Sequence, residues 1–463
     1  MLFNSTIFLL VFLPIAYWVF WLLRTKRQRY IWLTITGYVF YAGWNWKFCF
    51  LMLFSTLVSY TAGVLFLKED RTPDERRLIL TIPITVDLLL LGFFKYADFT
   101  LRSVSSVMAA IGHPARLPHL DIVLPIGISF YTFHTISYVV DSYRRTIRPT
   151  RDFWEFASYV SLFSQLVAGP IVRFRQIEQD LENIGEVRRG TFDHIGWSYF
   201  VIGLAQKMVI ADSIAAIIDP ALKNYQHLGT LTSWGAMLGY TYQLYFDFAG
   251  YSNMAVGLGY LFGIHIPQNF NSPYKSDGIA DFWRRWHISL SSCLRDYVYI
   301  PLGGNRHGTV ALYRNLMMTM LIGGLWHGAN WTFVVWGAYH GALLSVERVF
   351  HEAWSRIWRP LRMAATFVLV VIGWVFFRAT DFTMAAALLG RMFAFVPSAG
   401  ITAWRTLAVL LALGSGFAHF GRNTFEMKHE WSLPVRCALI AVFAICLLRM
   451  MTWQESPFLY FQF

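Results

Sequence analysis

Charged side chains are scarce in this sequence. Asp, Glu, Lys and Arg make up 14% of its 463 residues, where a soluble domain carries about 25%. That shortage excludes an ordinary soluble enzyme. Acidic residues are the scarcer sign, 27 against 39 Lys and Arg, for a formal net charge of +12. A nucleic-acid binder would gather such an excess on one basic face. Here it is divided among short loops between apolar runs, which fits topology signals and contact with anionic lipid head groups and implies no nucleic-acid partner. The same charge can draw an anionic substrate to that side. Cysteine is nearly absent: Cys49, Cys293, Cys437 and Cys446 form no C-x-x-C pair. Neither a zinc site nor a disulfide framework is implied, and no metal is expected. Internal repeats and low-complexity linkers are also missing, so residues 1–463 read as a single integral-membrane domain.

What the chain has instead is apolar and aromatic mass. Hydrophobic residues reach 56% and aromatics 18%, with 19 Trp and 40 Phe, and the mean hydropathy is +0.44. This is the composition of an all-α polytopic membrane protein. The first apolar run, Ile7 to Leu23, is preceded by no basic residue and followed by Arg24, Lys26, Arg27 and Arg29. That order is the reverse of a signal peptide, so a retained first helix is expected. The positive-inside rule puts the cluster in the cytoplasm and the N-terminus outside. Further runs lie at about 31–44, 48–67, 78–101 and 122–140, with basic clusters at Lys68–Arg77 and Arg144–Arg151. The run at 153–169 has basic residues on both sides. It reads as a re-entrant segment ending at Gly169-Pro170, a form tolerated only where protein or water covers the backbone. Runs at about 196–219, 231–263, 311–326, 330–347, 363–377, 404–420 and 437–452 complete about twelve crossings, a range of about 11–13 membrane helices with both termini outside. Arg378, Arg391 and Arg405 fall on the outer side and count against this topology, but the four inner clusters, the last at Arg348, Arg356, Arg359 and Arg362, outweigh them. Gly263 to His307 is too polar to span. Within it, Asp281 to His287 reads as an aromatic, basic amphipathic segment at the cytoplasmic interface.

Few residues in the apolar runs can carry chemistry. His327 stands in Gly323-Gly324-Leu325-Trp326-His327-Gly328-Ala329-Asn330-Trp331. An ionisable group at membrane depth is costly and marks function by default; the structural alternative is a histidine bonded to a backbone carbonyl. The glycines at 323, 324 and 328 cost helix stability and let a backbone or a ligand approach closely. His287 follows Trp283-Arg284-Arg285-Trp286 and is either a second functional imidazole or one more interfacial polar group. Arg284, Arg285 and Arg295 serve as topology signals and lipid contacts, or recruit a phosphate-bearing donor. Asp247 is a polar spot in the run Tyr245 to Ser252, where it orients a histidine or pairs with an arginine. Trp286, Trp326 and Asn330 flank the two histidines and complete the candidate substrate-binding set. The segment Ser456 to Phe463 has no charged side chain after Glu455. It is an aromatic interface belt or a tail tucked into the protein.

Five stretches together resemble the membrane-bound O-acyltransferase (MBOAT) superfamily, and most of all its bacterial alginate O-acetyltransferase branch. They are Pro125 to Phe133, Asp247 to Ser252, Asp281 to Leu290, Tyr299 to Gly304 and Gly324 to Gly328. The resemblance implies a ring of tilted helices with re-entrant segments, with cytoplasmic and outer funnels meeting near His327 and the family's second histidine at His287. It implies an acetyl group moved from a cytosolic donor, acetyl-CoA, with no bound cofactor, to an exopolysaccharide such as alginate. Periplasmic SGNH-type acetyltransferase proteins would complete the transfer. Phe458-x-Tyr460-x-x-Phe463, within the tail 453–463, is similar to a motif of envelope acylation systems in which a tyrosine carries the acyl group. On that resemblance, His327 is the general base for the Tyr460 hydroxyl, a phenol of reference pKa about 10 that needs one at neutral pH. His287 would orient the donor or assist proton transfer. Two other classes stay open on the residues alone. One is a transporter or channel, since intramembrane His, Asp and Arg also mark ion paths, although paired broken helices are lacking. The other is a scaffold recruiting periplasmic acetyltransferases.

Overall fold

The computed structural model describes residues 1–114, 117–167, 169–397, 400–452 and 458–459. The chain is helical, with no strand among the described residues. Among the described residues, five helices are long and apolar enough to cross a membrane: Phe48–Phe66, Pro73–Ala110, Asp193–Lys223, Arg359–Arg378 and Leu433–Thr452. It is thus an all-α polytopic membrane protein. The runs at 231–263, 311–326 and 330–347 also form single helices, Thr230–Leu261, Gly308–His327 and Trp331–Val349, as long as these but more polar. The run at 153–169 yields only Phe153–Ser161, nine residues, too short to span at about 1.5 Å per residue. The expected span at 122–140 begins later, at Ile128, because Gly127 turns the chain with φ +79°. The short helix Phe382–Phe393 had no counterpart in the pattern of apolar runs.

The described chain folds as two compact units, Met1–Trp197 with Ala255–Pro267, and Ser198–Met254 with Gln268–Phe463. In the first unit, helix starts follow local chemistry. Thr25 and Gln28 form a reciprocal capping box before Lys26–Asn45, as do Thr72 and Glu75 before Pro73–Leu91, so exposed amide groups are satisfied at both starts. Arg29 stacks on Phe20 and Trp21 at 5.0 Å from each ring and donates to the carbonyls of Ile184 and Val187. The buried Asp87 carboxylate accepts from Ser55 and Thr135 hydroxyls at 2.6 Å each. Apolar surroundings demand such direct partners.

The second unit contains the hairpin Gly308–His327 and Trp331–Val349. Its helices touch at glycines. A Cβ at Gly324 would lie 2.3 Å from the Phe333 carbonyl oxygen and 3.2 Å from Gly337 Cα; one at Gly337 would lie 2.3 Å from the Met320 oxygen. Gly328 leaves room for the Phe333 ring, which a Cβ would meet at 2.2 Å. These glycines therefore serve backbone approach between helices. Asn330 caps the second helix by accepting from Thr332 N–H at 3.1 Å, and its Nδ2 donates to the Thr380 carbonyl at 2.8 Å. Gly337→Val forces the helices apart and should lower the melting temperature of the detergent-purified protein, by the equivalent of about 1–3 kcal/mol for an overpacked site. Gly390→Ala, where a Cβ meets nothing within 4 Å, should not lower it. Equal melting of the two variants would refute close backbone packing in this hairpin.

Candidate active site

His327 is the last residue of the Gly308–His327 helix and is 4% exposed. Its ring lies 5.0 Å from Trp326, 5.1 Å from Trp336 and 5.2 Å from Phe377, each steeply inclined. His327 also lines a cavity of about 580 Å³. Ser291, Ser292 and Thr319 contribute hydroxyl-bearing wall, and Arg284, Arg295 and Arg348 contribute positive charge. The arrangement joins one imidazole to a basic, largely apolar-walled space that can hold an anionic ligand.

His287 lies deeper. It is fully buried, and its ring centroid is 6.4 Å from that of His327, which leaves the rings out of direct hydrogen-bond reach. It precedes the short helix Ile288–Leu294 with φ 44° and ψ 54°. The left-handed region is strained for a residue with a Cβ, and such strain collects at functional sites. Asn269 fixes the ring. Its Oδ1 accepts from Ser289 N–H at 3.2 Å and from Ser289 Oγ at 2.9 Å, and its Nδ2 donates to Ser252 Oγ at 3.2 Å. A backbone N–H can only donate, so the atom it faces is the carboxamide oxygen. His287 Nδ1, 3.2 Å from the same oxygen, must then carry the proton. Nε2 is left with a lone pair and has no hydrogen-bond partner among the described residues.

The stretch Asp281 to His287 differs from an interfacial amphipathic segment. Phe282 and Trp286 are each 1% exposed. Phe282 stacks on Trp286 at 5.6 Å and Trp286 lies 4.9 Å from Trp374. Packing of large rings in the interior outweighs the interfacial position that the Trp-Arg-Arg-Trp pattern predicts. Arg284 keeps a solvent-facing side chain, while Arg285 pairs with Asp281 at 2.8 Å and donates to the Asn271 carbonyl. Of the expected site residues, the cavity wall contains His327, Arg284 and Arg295. Trp326 touches both histidine rings, Trp286 belongs to the aromatic core, and Asn330 is a helix cap.

Among the described residues, Asp247 is paired neither with a histidine nor with an arginine. Its Oδ1 lies 2.6 Å from Lys207 Nζ, and Lys207 reaches Asp212 at 2.7 Å. Its Oδ2 accepts the Leu459 N–H at 2.9 Å. Phe458, 1% exposed, packs against Tyr251 and Phe248. Tyr460 lies outside the described residues. Sequence reading passed over Lys207 and Asn269, although a lysine alone in an apolar run is a signal of the same kind as His327. It also passed over His340, a buried imidazole with neither nitrogen hydrogen-bonded among the described residues, 5.0 Å from the Trp336 ring.

Burial pushes the His287 imidazole down to about 3, from an ordinary value of about 6.5. Between those values the unfolded chain binds more protons than the folded one, so stability is full above about pH 6.5 and falls as the pH drops. His287→Asn, which tolerates the left-handed backbone, removes this titration. It should flatten the acid-side loss of melting stability between about pH 6.5 and 4, by on the order of 1 kcal/mol per pH unit. An unchanged slope would show that His287 is not a buried neutral imidazole.

Residues 142–385 match the membrane-bound O-acyltransferase (MBOAT) family. The chain is 40% identical over 495 residues to "Probable alginate O-acetylase AlgI" of Pseudomonas putida, covering 100% of both chains. It is 39% identical over 507 residues to the protein of the same description in Azotobacter vinelandii, again 100% of both. With the "Peptidoglycan O-acetyltransferase" of Helicobacter pylori it shares 36% identity over 431 residues, 85% of this chain and 80% of that one. An all-helical membrane chain with a buried imidazole on the wall of an arginine-rimmed cavity, and with these relatives, belongs to the membrane-bound O-acyltransferase family and is an O-acyltransferase.

Proposed function

We propose that the protein passes acetyl from cytosolic acetyl-CoA across the bacterial inner membrane for O-acetylation of an exopolysaccharide such as alginate, with both termini periplasmic. The observation that carries this reading is His327 on the wall of a cavity that also presents Arg284, Arg295 and Arg348. Those guanidiniums suit the phosphates of a coenzyme A thioester. The full-length likeness to alginate O-acetylases supports the polymer class.

In the proposed reaction the hydroxyl of Tyr460 is the acceptor. His327 takes the phenol proton as the oxygen attacks the thioester carbonyl. The carbon–sulfur bond breaks, the thiolate takes up the proton from the imidazolium, and O-acetyl-tyrosine and free coenzyme A result. His287 orients the donor or assists that proton transfer. A hydroxyl of a periplasmic SGNH-type acetyltransferase protein then attacks the tyrosyl ester, restoring the phenol and carrying the acetyl group toward the polysaccharide. Only the acetyl group crosses; the charged donor stays on its own side.

Tyr460→Phe should abolish polymer acetylation in cells with normal amounts of the protein. His327→Ala should abolish labelling of the tail by radioactive acetyl-CoA in purified protein, a loss of at least about a hundredfold for a general base. Wild-type acetylation by Tyr460→Phe would eliminate the tyrosine carrier, and retained activity of His327→Ala would eliminate the base.

A further inference from the structure

Lys207 and Asp247 are an ion pair in the interior of the second unit, with side chains 3% and 2% exposed. They meet because two helices touch at glycines. A Cβ at Gly203 would lie 2.5 Å from the Gly250 carbonyl oxygen, and one at Gly250 would lie 3.0 Å from Lys207 N. Lys207 sits in the π-helical turn Gln206–Ala211, and such a turn re-aims the side chains it carries. The pair is costly to desolvate, and apolar side chains of equal volume would pack there without that cost. Its presence asks for a task that apolar side chains cannot perform.

That task is visible on the second oxygen of Asp247. Oδ1 faces Lys207 Nζ, and Oδ2 accepts the main-chain N–H of Leu459 at 2.9 Å. The preceding residue fills an aromatic slot: the Phe458 ring is 4.8 Å from Tyr251 and 5.6 Å from Phe248. Phe248 in turn stands perpendicular to the His287 ring at 4.7 Å. A carboxylate held by a lysine and presenting its free oxygen to a peptide N–H recognises backbone rather than a side chain. The aromatic slot adds selectivity for the ring one residue earlier.

We propose that Lys207 and Asp247 form a peptide-docking clamp whose ligand is the chain's own Phe458–Leu459 segment, seated by its main chain so that the next residue, Tyr460, is presented for acylation. This rests on the carrier reading above. It makes Asp247 and Lys207 positioning residues: neither touches the reacting atoms, and both act through the segment they hold.

Two measurements test the clamp. The first reads docking. In a chain lacking its four native cysteines, Leu459→Cys keeps the N–H and places a thiol where the side chain is 5% exposed. A membrane-impermeant maleimide should label it slowly. Adding Lys207→Met with Asp247→Leu removes the pair without leaving a lone buried ion, and should raise the labelling rate about tenfold or more. An unchanged rate, with an unchanged melting temperature, overturns the clamp. The second reads the consequence in an otherwise native chain. Leu459→Pro deletes the N–H and should cut polymer acetylation about tenfold or more, whereas Leu459→Ala, which keeps it, should not. Equal acetylation by these two variants also overturns the clamp. If Tyr460→Phe acetylates normally, the carrier reading falls alone, because the labelling arm still decides whether the pair docks the segment.

Discussion

In an apolar interior a polar group must find its partner within the protein, and here that depends on how closely helix backbones approach. The contacts at Gly324 with Gly337 and at Gly203 with Gly250 set that approach in the second unit. Each brings a chemistry-bearing side chain into place about one helical turn further on: His327 is three residues beyond Gly324, and Lys207 is four beyond Gly203. Larger residues at these glycines would separate the helices, and the Lys207–Asp247 pair would lose the 2.6 Å contact that makes two buried charges tolerable. Packing is in this sense upstream of electrostatics in this unit.

The loop around His287 solves a related problem without helices. Asn269 accepts from three donors on one oxygen and gives its own amide to Ser252. One carboxamide thereby fixes a side-chain tautomer, the start of the Ile288–Leu294 helix and the seat of the preceding loop. The left-handed backbone at His287 is strain that this network holds in place. The outcome is a neutral imidazole with one unshared lone pair, a state that a group near a water-filled interface would not keep at mildly acidic pH.

Much of this was legible in the residues, for identifiable reasons. Apolar runs mark helices because spanning length and hydrophobicity go together, and His327, His287 and Asp247 stood out because ionisable groups are rare in such runs. What escaped was partnership. Asp247 read as a mate for histidine or arginine, yet its mate is Lys207, forty residues earlier in sequence and adjacent only through a glycine contact and a π-helical turn. The aromatic and basic stretch at Asp281–His287 carries the pattern of a surface anchor. Its rings are nevertheless interior, because Trp336 and Trp374 supply aromatic neighbours from distant parts of the sequence. Asn269 gave no signal at all: an asparagine in a polar loop is unremarkable until three donors converge on it.

The two histidines differ in surroundings more than in burial, and that difference bears on how work is divided between them. His327 borders a cavity with three arginines, so a ligand that brings negative charge reaches it without uncovering the core. His287 has no place on that wall; its neighbours are Asn269 and Phe248, and Phe248 also packs on Phe458. A displacement of the Phe458–Leu459 segment would therefore be felt at His287 through a single shared ring. The 6.4 Å between their centroids keeps the two imidazoles from satisfying each other by hydrogen bonding.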